Sequence, residues 1–325
     1  MHYAAIALAF VVTLITVWLL ARSRIALDQP NERSMHQTPV PRSGGLGLMA
    51  GVLTAWFLIA GAVPWVIVGG VVALIVVSAV DDLHSLPVLV RLGAHIIAAA
   101  VVCVSLAGDT AGLLIAAALT LATAWMVNAY NFMDGSDGLA GGMAAGGFFC
   151  YGLAANDTAF ATANFCIAAS ACAFLIFNFP PAKIFLGDAG SIPLGVLAAS
   201  LGISGWVRGD WAWWFPLVVF APFVADATVT LFMRAFSGAP VWKAHREHAY
   251  QRLIRMGWSH RQLALSAYVL MAACGITALA GLRASPVSQW ALLAVVTLGH
   301  LLLIGCVGRA WRKAAAVAGQ GRPRP

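Results

Sequence analysis

The sequence predicts an all-α fold, a polytopic transmembrane helix bundle of about 11 spans, with 10 as the alternative count. Three observations carry that prediction. Of 325 residues, 61% are apolar and only 10% are charged, whereas a water-soluble domain carries roughly 25% charged residues. The apolar residues gather in runs close to the ~20 residues that a spanning helix needs, with short breaks between them. Finally, the Lys and Arg residues segregate to one side of the chain threaded through those runs, which places the N-terminus outside and the C-terminus in the cytoplasm.

In chain order the candidate spans run 3–22, 44–62, 65–80, 88–107, 111–128, 140–155, 158–177, 190–206, 211–233, 263–282 and 288–308. The first lacks the basic region that opens a signal peptide, and Arg22 and Arg24 follow it, so it reads as a retained helix. Glycine and alanine within the runs suit close packing in lipid. The run 65–80 is short enough to merge with a neighbour. One face collects 17 Lys and Arg, while the other holds only Arg208 and Arg283. The long connections 23–43 and 234–262 lie on the basic, cytoplasmic face, and Gly61 to Pro64 is a minimal external turn. Cys103, Cys150, Cys166, Cys172, Cys274 and Cys306 sit inside apolar runs without CxxC spacing and read as small hydrophobes. The composition rules out disorder, and a net charge of +7 divided among short loops argues against a nucleic-acid surface.

The scarce acids say more than the bases. Asp81, Asp82, Asp134, Asp137 and Asp188 all fall at cytoplasmic mouths of helices. Ionisable groups near lipid are costly, so five at one face mark a site. Asn128, Asn131, Asp134 and Asp137 recur every three residues, and neighbours at that spacing stack on a helix surface. Gly135 and Gly138 allow a tighter turn that would line up the row. Such a strip suits a hard cation, a ribose or a base edge. In Phe185 to Ser191 a single carboxylate, Asp188, stands between glycines at a helix start, where backbone N–H groups favour a phosphate. Mg²⁺ commonly takes one or two carboxylates and draws its other oxygens from phosphate and water. Asp81 and Asp82 are adjacent, so on a helix they diverge by about 100° and suit two separate tasks. His245, Arg246 and His248 match a diphosphate better than zinc, for there is no HExxH and no third ligand nearby. Acids for a metal, a Gly-rich turn and a basic loop at a lipid boundary suggest phosphoryl transfer between a soluble nucleotide and a lipid. The alternative is a transporter or channel with a cytoplasmic-side ion site. Transporter sites lie near the midplane, where Asp226 is the main buried acid and His95 and His300 read as packing residues. The DGxxAR and NDxxD signatures of two other lipid-linked transferase classes are absent.

Five ordered elements carry a resemblance: Asn31 to His36 with Pro39 to Gly45, Asp81-Asp82, Asn128 to Ala140, Asn178 with Phe185 to Ser191, and His245 to Leu253. Together they make the chain resemble, over nearly its whole length, the polyprenyl-phosphate N-acetylhexosamine-1-phosphate transferases of glycosyltransferase family 4. The resemblance implies one membrane domain over 1–325, with an active site from loops 23–43, 81–87, 128–140, 178–191 and 234–262. The implied partners are UDP-N-acetylhexosamine, undecaprenyl phosphate and membrane lipid, with no nucleic acid, and a homodimer is compatible with it. The implied setting is the bacterial inner membrane, with the site facing the cytoplasm. Mg²⁺ is the implied cofactor, with Mn²⁺ as a substitute, held by Asp188 with Asn131 beside it. Asn128, Asp134, Asp137 and Asn178 match the substrate-binding set, largely around the nucleoside, and Phe185 matches an aromatic that stacks on uracil. His245, Arg246 and His248 lie on the loop that grips diphosphate and sugar, with Arg42 near it. Asp81 matches a residue proposed to orient or deprotonate the lipid phosphate, and Asp82 stands near the metal. The missing triple-histidine run and the eleventh span set the chain closer to enzymes that start O-antigen or enterobacterial common antigen than to the phospho-N-acetylmuramoyl-pentapeptide transferases. Gln37 stands roughly where that latter branch has a lysine.

Overall fold

The computed structural model describes residues 1–23, 27–28, 39–84, 86–240 and 245–320, without the side chains of Asp28, Asp82, Leu83 and 317–320. The first eight candidate spans each form one helix: α1 (His2–Arg22), α2 (Gly44–Leu58), α3 (Trp65–His84), α4 (Val88–Ala111), α5 (Leu113–Phe132), α6 (Leu139–Ala154), α7 (Thr158–Asn178) and α8 (Asp188–Val207). The last two candidates form α12 (His260–Gly281) and α13 (Pro286–Gln320). Among the described residues, seven helices are long and apolar enough to cross a membrane: α1, α4, α5, α7, α8, α12 and α13. Three more, α2, α6 and residues 65–81 of α3, are apolar but shorter.

The ninth candidate, 211–233, is not one helix. It is a short α9 (Phe215–Val219) followed by α10 (Ala221–Phe236), parted at Phe220 with φ −96° and ψ 13°. Pro216 and Pro222 explain the break, because neither can donate an N–H and the Pro222 ring would collide with the carbonyl of Val218 in a continuous helix. Residues 211–214 precede α9 as a turn in which the Trp211 indole donates to the Gly202 carbonyl at 2.9 Å. The connection 234–262, expected as a loop, contains one further helix, α11 (Ala249–Arg255).

Helix α8 is the axis of the bundle: 83% of its most apolar stretch is buried, against 17% for α13 and 22% for α1. It packs against α2, α3, α4 and α5. Around it lie fully buried aromatics, including Tyr130, Phe148, Tyr151, Phe160, Phe174 and Phe220. The two tyrosines reach carbonyls, Tyr130 that of Ala140 and Tyr151 that of Ala198, each at 2.9 Å. Buried polar ends are thereby satisfied, as an interior without water requires. The opposite extreme is the outer face of α13, where Trp290, Val295, Leu298 and Leu302 are exposed.

One short pairing locates the end of the bundle that matters. Strand β1 (Leu27–Asp28) runs antiparallel to β2 (Val40–Pro41), closing the first long connection on itself. Beyond β2 the chain lies along 185–186: Phe185 N donates to the Pro41 carbonyl at 2.7 Å, and Gly44 N and Gly45 N donate to the Phe185 and Leu186 carbonyls at 2.9 and 2.8 Å. A Cβ on Gly45 would stand 2.3 Å from the Gly190 Cα, so the starts of α2 and α8 touch backbone to backbone. This contact brings Arg42 and Asp188 to the same mouth.

Candidate functional site

Helix α5 ends in the turn 133–138, and the four polar residues spaced by three separate there. Asn128 remains on the helix, and its amide donates back to the Ala124 carbonyl at 2.7 Å. Asn131 reaches across to α8, its Nδ2 lying 2.9 Å from both Asp188 Oδ1 and Ser191 Oγ. As placed, the amide N–H of Asn131 orients the Asp188 carboxylate. From α3, the Ser78 hydroxyl donates to the Asp188 carbonyl at 3.4 Å. Gly187 precedes Asp188 with φ +71°, and a Cβ there would lie 2.2 Å from the Arg42 carbonyl. Only glycine serves at that corner.

Asp134 faces Asp188 across this mouth. Desolvation by the surrounding protein pushes its pKa well above the usual carboxylate range, the Asp188 charge adds to the rise, and a backbone hydrogen bond from Gly187 opposes it. A carboxylate placed beside this acid forms a site suited to a cation.

Asp137 and Asn178 hold the turn itself. Asp137 Oδ2 accepts from Ala182 N at 3.0 Å, and its Oδ1 is 3.6 Å from His260 Nδ1. Asn178 is buried; it accepts from Gly138 N and donates to the Ile184 carbonyl, both at 2.9 Å. Together they clasp the turn 133–138 to the segment 179–187, which carries the partly exposed Phe185.

Three tethers of that turn escape sequence reasoning. Tyr250 of α11 donates to the Phe132 carbonyl at 2.9 Å, Tyr268 of α12 donates to the Gly138 carbonyl at 2.8 Å, and His260 Nδ1 lies 3.0 Å from Ser136 Oγ. Each joins residues more than 100 positions apart, so no local spacing announces them.

The basic loop is anchored by Asp226, the main buried acid of the sequence. Its carboxylate is 6% exposed and accepts from Ala249 N at 2.8 Å, Tyr250 N at 3.1 Å and Thr230 Oγ1 at 3.0 Å. The first N–H groups of α11 therefore meet a negative charge, which a helix start favours. His248 lies just before them, buried, with Nδ1 3.5 Å from Asp226 and its ring stacked on Phe132 at 5.9 Å between centroids. The His245 ring lies 4.9 Å from it. Burial, His248 and Arg234 hold the His245 pKa down to about 4, so the ring is neutral at pH 7. The Arg246 carbonyl accepts from Arg255 at 3.2 Å, and Arg234 pairs with Glu247 at 2.5 Å.

Asp81 lies at the end of α3 with both oxygens engaged: Leu86 N donates at 2.7 Å and Arg91 Nη1 at 2.9 Å. It holds the turn into α4. The side chain of Asp82, and also Asn31 to His36, Gln37 and Lys243, lie outside the described residues. His95, read as a packing residue, is 6% exposed with neither ring nitrogen hydrogen-bonded.

Residues 64–206 match the family described as Glycosyl transferase family 4. The chain is similar to a probable undecaprenyl-phosphate N-acetylglucosaminyl 1-phosphate transferase of Bacillus subtilis (strain 168), with 29% identity over 82% of each chain. It is 32% identical to a decaprenyl-phosphate N-acetylglucosaminephosphotransferase of Mycobacterium leprae (strain TN), over 78% of this chain and 76% of the relative. With an undecaprenyl-phosphate alpha-N-acetylglucosaminyl 1-phosphate transferase of Yersinia pestis it shares 27% identity over 89% of this chain and 86% of the relative. An all-α membrane bundle whose matched region holds Asp81, Asn131, Asp134 and Asp188, and which is this similar to those relatives, belongs to the polyprenyl-phosphate N-acetylhexosamine-1-phosphate transferase family.

Proposed function

We propose that the protein transfers N-acetylhexosamine-1-phosphate from a UDP-N-acetylhexosamine to undecaprenyl phosphate. UMP leaves, and the product is the lipid-diphospho-sugar that starts O-antigen or a related envelope polysaccharide. The observation that carries this reading is the Asp188 carboxylate, oriented by Asn131 at the helix mouth that also holds Asp134. The names of the relatives support a polyprenyl phosphate acceptor. The 17 to 2 division of basic residues supports a mouth that opens to the cytoplasm of a bacterial inner membrane.

The donor set suits Mg²⁺. Among the described residues no three His, Cys, Asp or Glu converge, so oxygens beyond Asp188 and its neighbour Asn131 would come from phosphates and water, as is usual for this ion. When bound, the ion supplies neutralisation of charge on the diphosphate. The rest of the work falls to the chain. A phosphate monoester has a second pKa of about 6, so much of the lipid phosphate is dianionic at pH 7 without a protein base. One of its oxygens bonds to the sugar-bearing phosphorus as the bond from that phosphorus to the UMP oxygen breaks. Asn131 fixes Asp188 for this step, the clasp of Asp137 and Asn178 holds the nucleoside side, and Asp226 fixes the loop that covers the diphosphate. Asp81, paired with Arg91, keeps the α3–α4 turn in place at the lipid side.

The test is UMP release by purified protein with undecaprenyl phosphate and a panel of UDP-N-acetyl sugars, with and without Mg²⁺. Metal-dependent release with one or more sugars is expected. No release with any of them, together with substrate-dependent flux into vesicles, would overturn the reading in favour of a transporter.

A further inference from the structure

Helix α13 has 35 residues, about 52 Å at 1.5 Å per residue, and so outruns a hydrocarbon core of about 30 Å. Counting about 20 spanning residues from Pro286 brings it to the headgroup level close to Gly308. Two guanidiniums converge there. A Cβ on Gly308 would lie 3.7 Å from Arg252 Nη1, which comes from α11, and 3.8 Å from Arg312 Nη1. No carboxylate pairs with either among the described residues. The Nε of Arg252 is buried without a hydrogen-bond partner. The surroundings add positive charge: Arg255 lies over the Trp311 ring at 4.5 Å, and Arg309 and Lys313 follow on α13. Glu247, the acid nearest in sequence to Arg252, is already paired with Arg234.

We infer that Arg252 and Arg312 form a seat for the phosphate of an anionic phospholipid. Two like charges held together around one glycine call for an anion. A phosphate accepts charge-assisted hydrogen bonds at about 2.7–2.9 Å from donors on two sides, and guanidinium groups suit it. The phosphate always present at this depth is that of the lipid headgroup, and an interfacial Trp beside Lys and Arg is the usual neighbour of such groups. The seat has a structural consequence, because Arg252 lies one turn beyond His248. A lipid bound there braces α11 against α13.

Native mass spectrometry in detergent with added phosphatidylglycerol tests this without recourse to activity. Wild type is expected to retain one more phosphatidylglycerol than the Arg252→Gln/Arg312→Gln variant, with no such difference for phosphatidylcholine. The Arg309→Gln/Lys313→Gln variant removes the same charge beside the pair and is expected to keep the lipid. Equal retention by wild type and the first variant, or equal loss in both variants, would overturn the proposal. So would displacement of the lipid from wild type by saturating UDP, which would assign the pair to the donor's diphosphate. A measurement on wild type alone guards against a variant that fails to fold. Because a ligand of the folded state raises Tm, replacing phosphatidylcholine by phosphatidylglycerol in mixed micelles should raise it, and an unchanged Tm would count against the seat.

Discussion

The substitution Asp226→Asn isolates the anchoring of the basic loop. The side chain keeps its size, but one of its two acceptor oxygens becomes an NH₂ group, so either the Ala249 N–H, which donates to Oδ1 at 2.8 Å, or the Tyr250 N–H, which donates to Oδ2 at 3.1 Å, loses its acceptor. Losing a cap of this kind costs about 1–2 kcal/mol, and a buried N–H left without an acceptor costs about 1–3 kcal/mol. A seven-residue helix cannot hold itself together in isolation. The loss, about 2–5 kcal/mol in all, therefore falls on the docked position of α11 and His248 and spares the membrane bundle. At 1.4 kcal/mol per factor of ten, kcat/KM for the UDP-sugar should drop by about 30-fold or more, while the membrane bundle stays folded. Thr230→Val removes only the hydroxyl bond to the same carboxylate, 3.0 Å long, and should cost less than about tenfold. The assay is UMP release at saturating acceptor with the donor titrated. A kcat/KM for Asp226→Asn within twofold of wild type, with α11 intact, would refute the reasoning.

Asp188→Asn should suppress Mg²⁺-dependent UMP release by about 100-fold or more and leave Tm unchanged, since the Asn131 contact survives as an amide pair; retained metal-dependent turnover would count against the role. The pH dependence of stability should carry a signature of His245. Its folded pKa of about 4 lies below the ordinary 6.5, so the unfolded chain takes up the proton first as pH falls. Stability from this group is whole above about pH 6.5 and declines toward pH 4, so Tm between pH 7 and 5 should fall more steeply in wild type than in His245→Gln. Equal slopes would contradict the burial of the ring. Gly45→Val forces a side chain into the Gly190 backbone at 2.3 Å. Overpacking of this kind costs about 1–3 kcal/mol, and both Tm and activity should drop; an unaffected Tm would mean that α2 and α8 do not need their close contact.

Much of the bundle is legible in the sequence because a spanning helix announces itself by one local property, a long apolar run. Spans one to eight appear as single helices for that reason. The ninth failed because hydropathy ignores the N–H that Pro216 and Pro222 lack, so a run that looks continuous breaks at Phe220. At the site, Asp134 and Asp188 stood out as acids at helix mouths, and the structure brings them together. What the sequence hides is the division of labour. Asn178 and Asp81 look like groups that face a substrate, and the fold shows that they also hold Gly138, Ile184, Leu86 and Arg91 in place. Tyr250, Tyr268 and His260 look like ordinary helix residues, and only the fold reveals them as supports of a turn more than a hundred positions away.

One of those supports constrains how this sequence can diverge. A Cβ on Gly135 would lie 2.1 Å from the Tyr250 hydroxyl, but 3.2 Å from the ring carbon that bears it. Gly135→Ala alone must expel the hydroxyl from its bond to the Phe132 carbonyl. After Tyr250→Phe, the same alanine meets only the ring edge, which is tight but can be accommodated by a small shift. The cost of changing position 135 thus depends on which residue already occupies position 250, so the two sites show epistasis and the order of substitution decides which paths stay open. Among homologues, alanine at the first position should occur chiefly where the second has lost its hydroxyl.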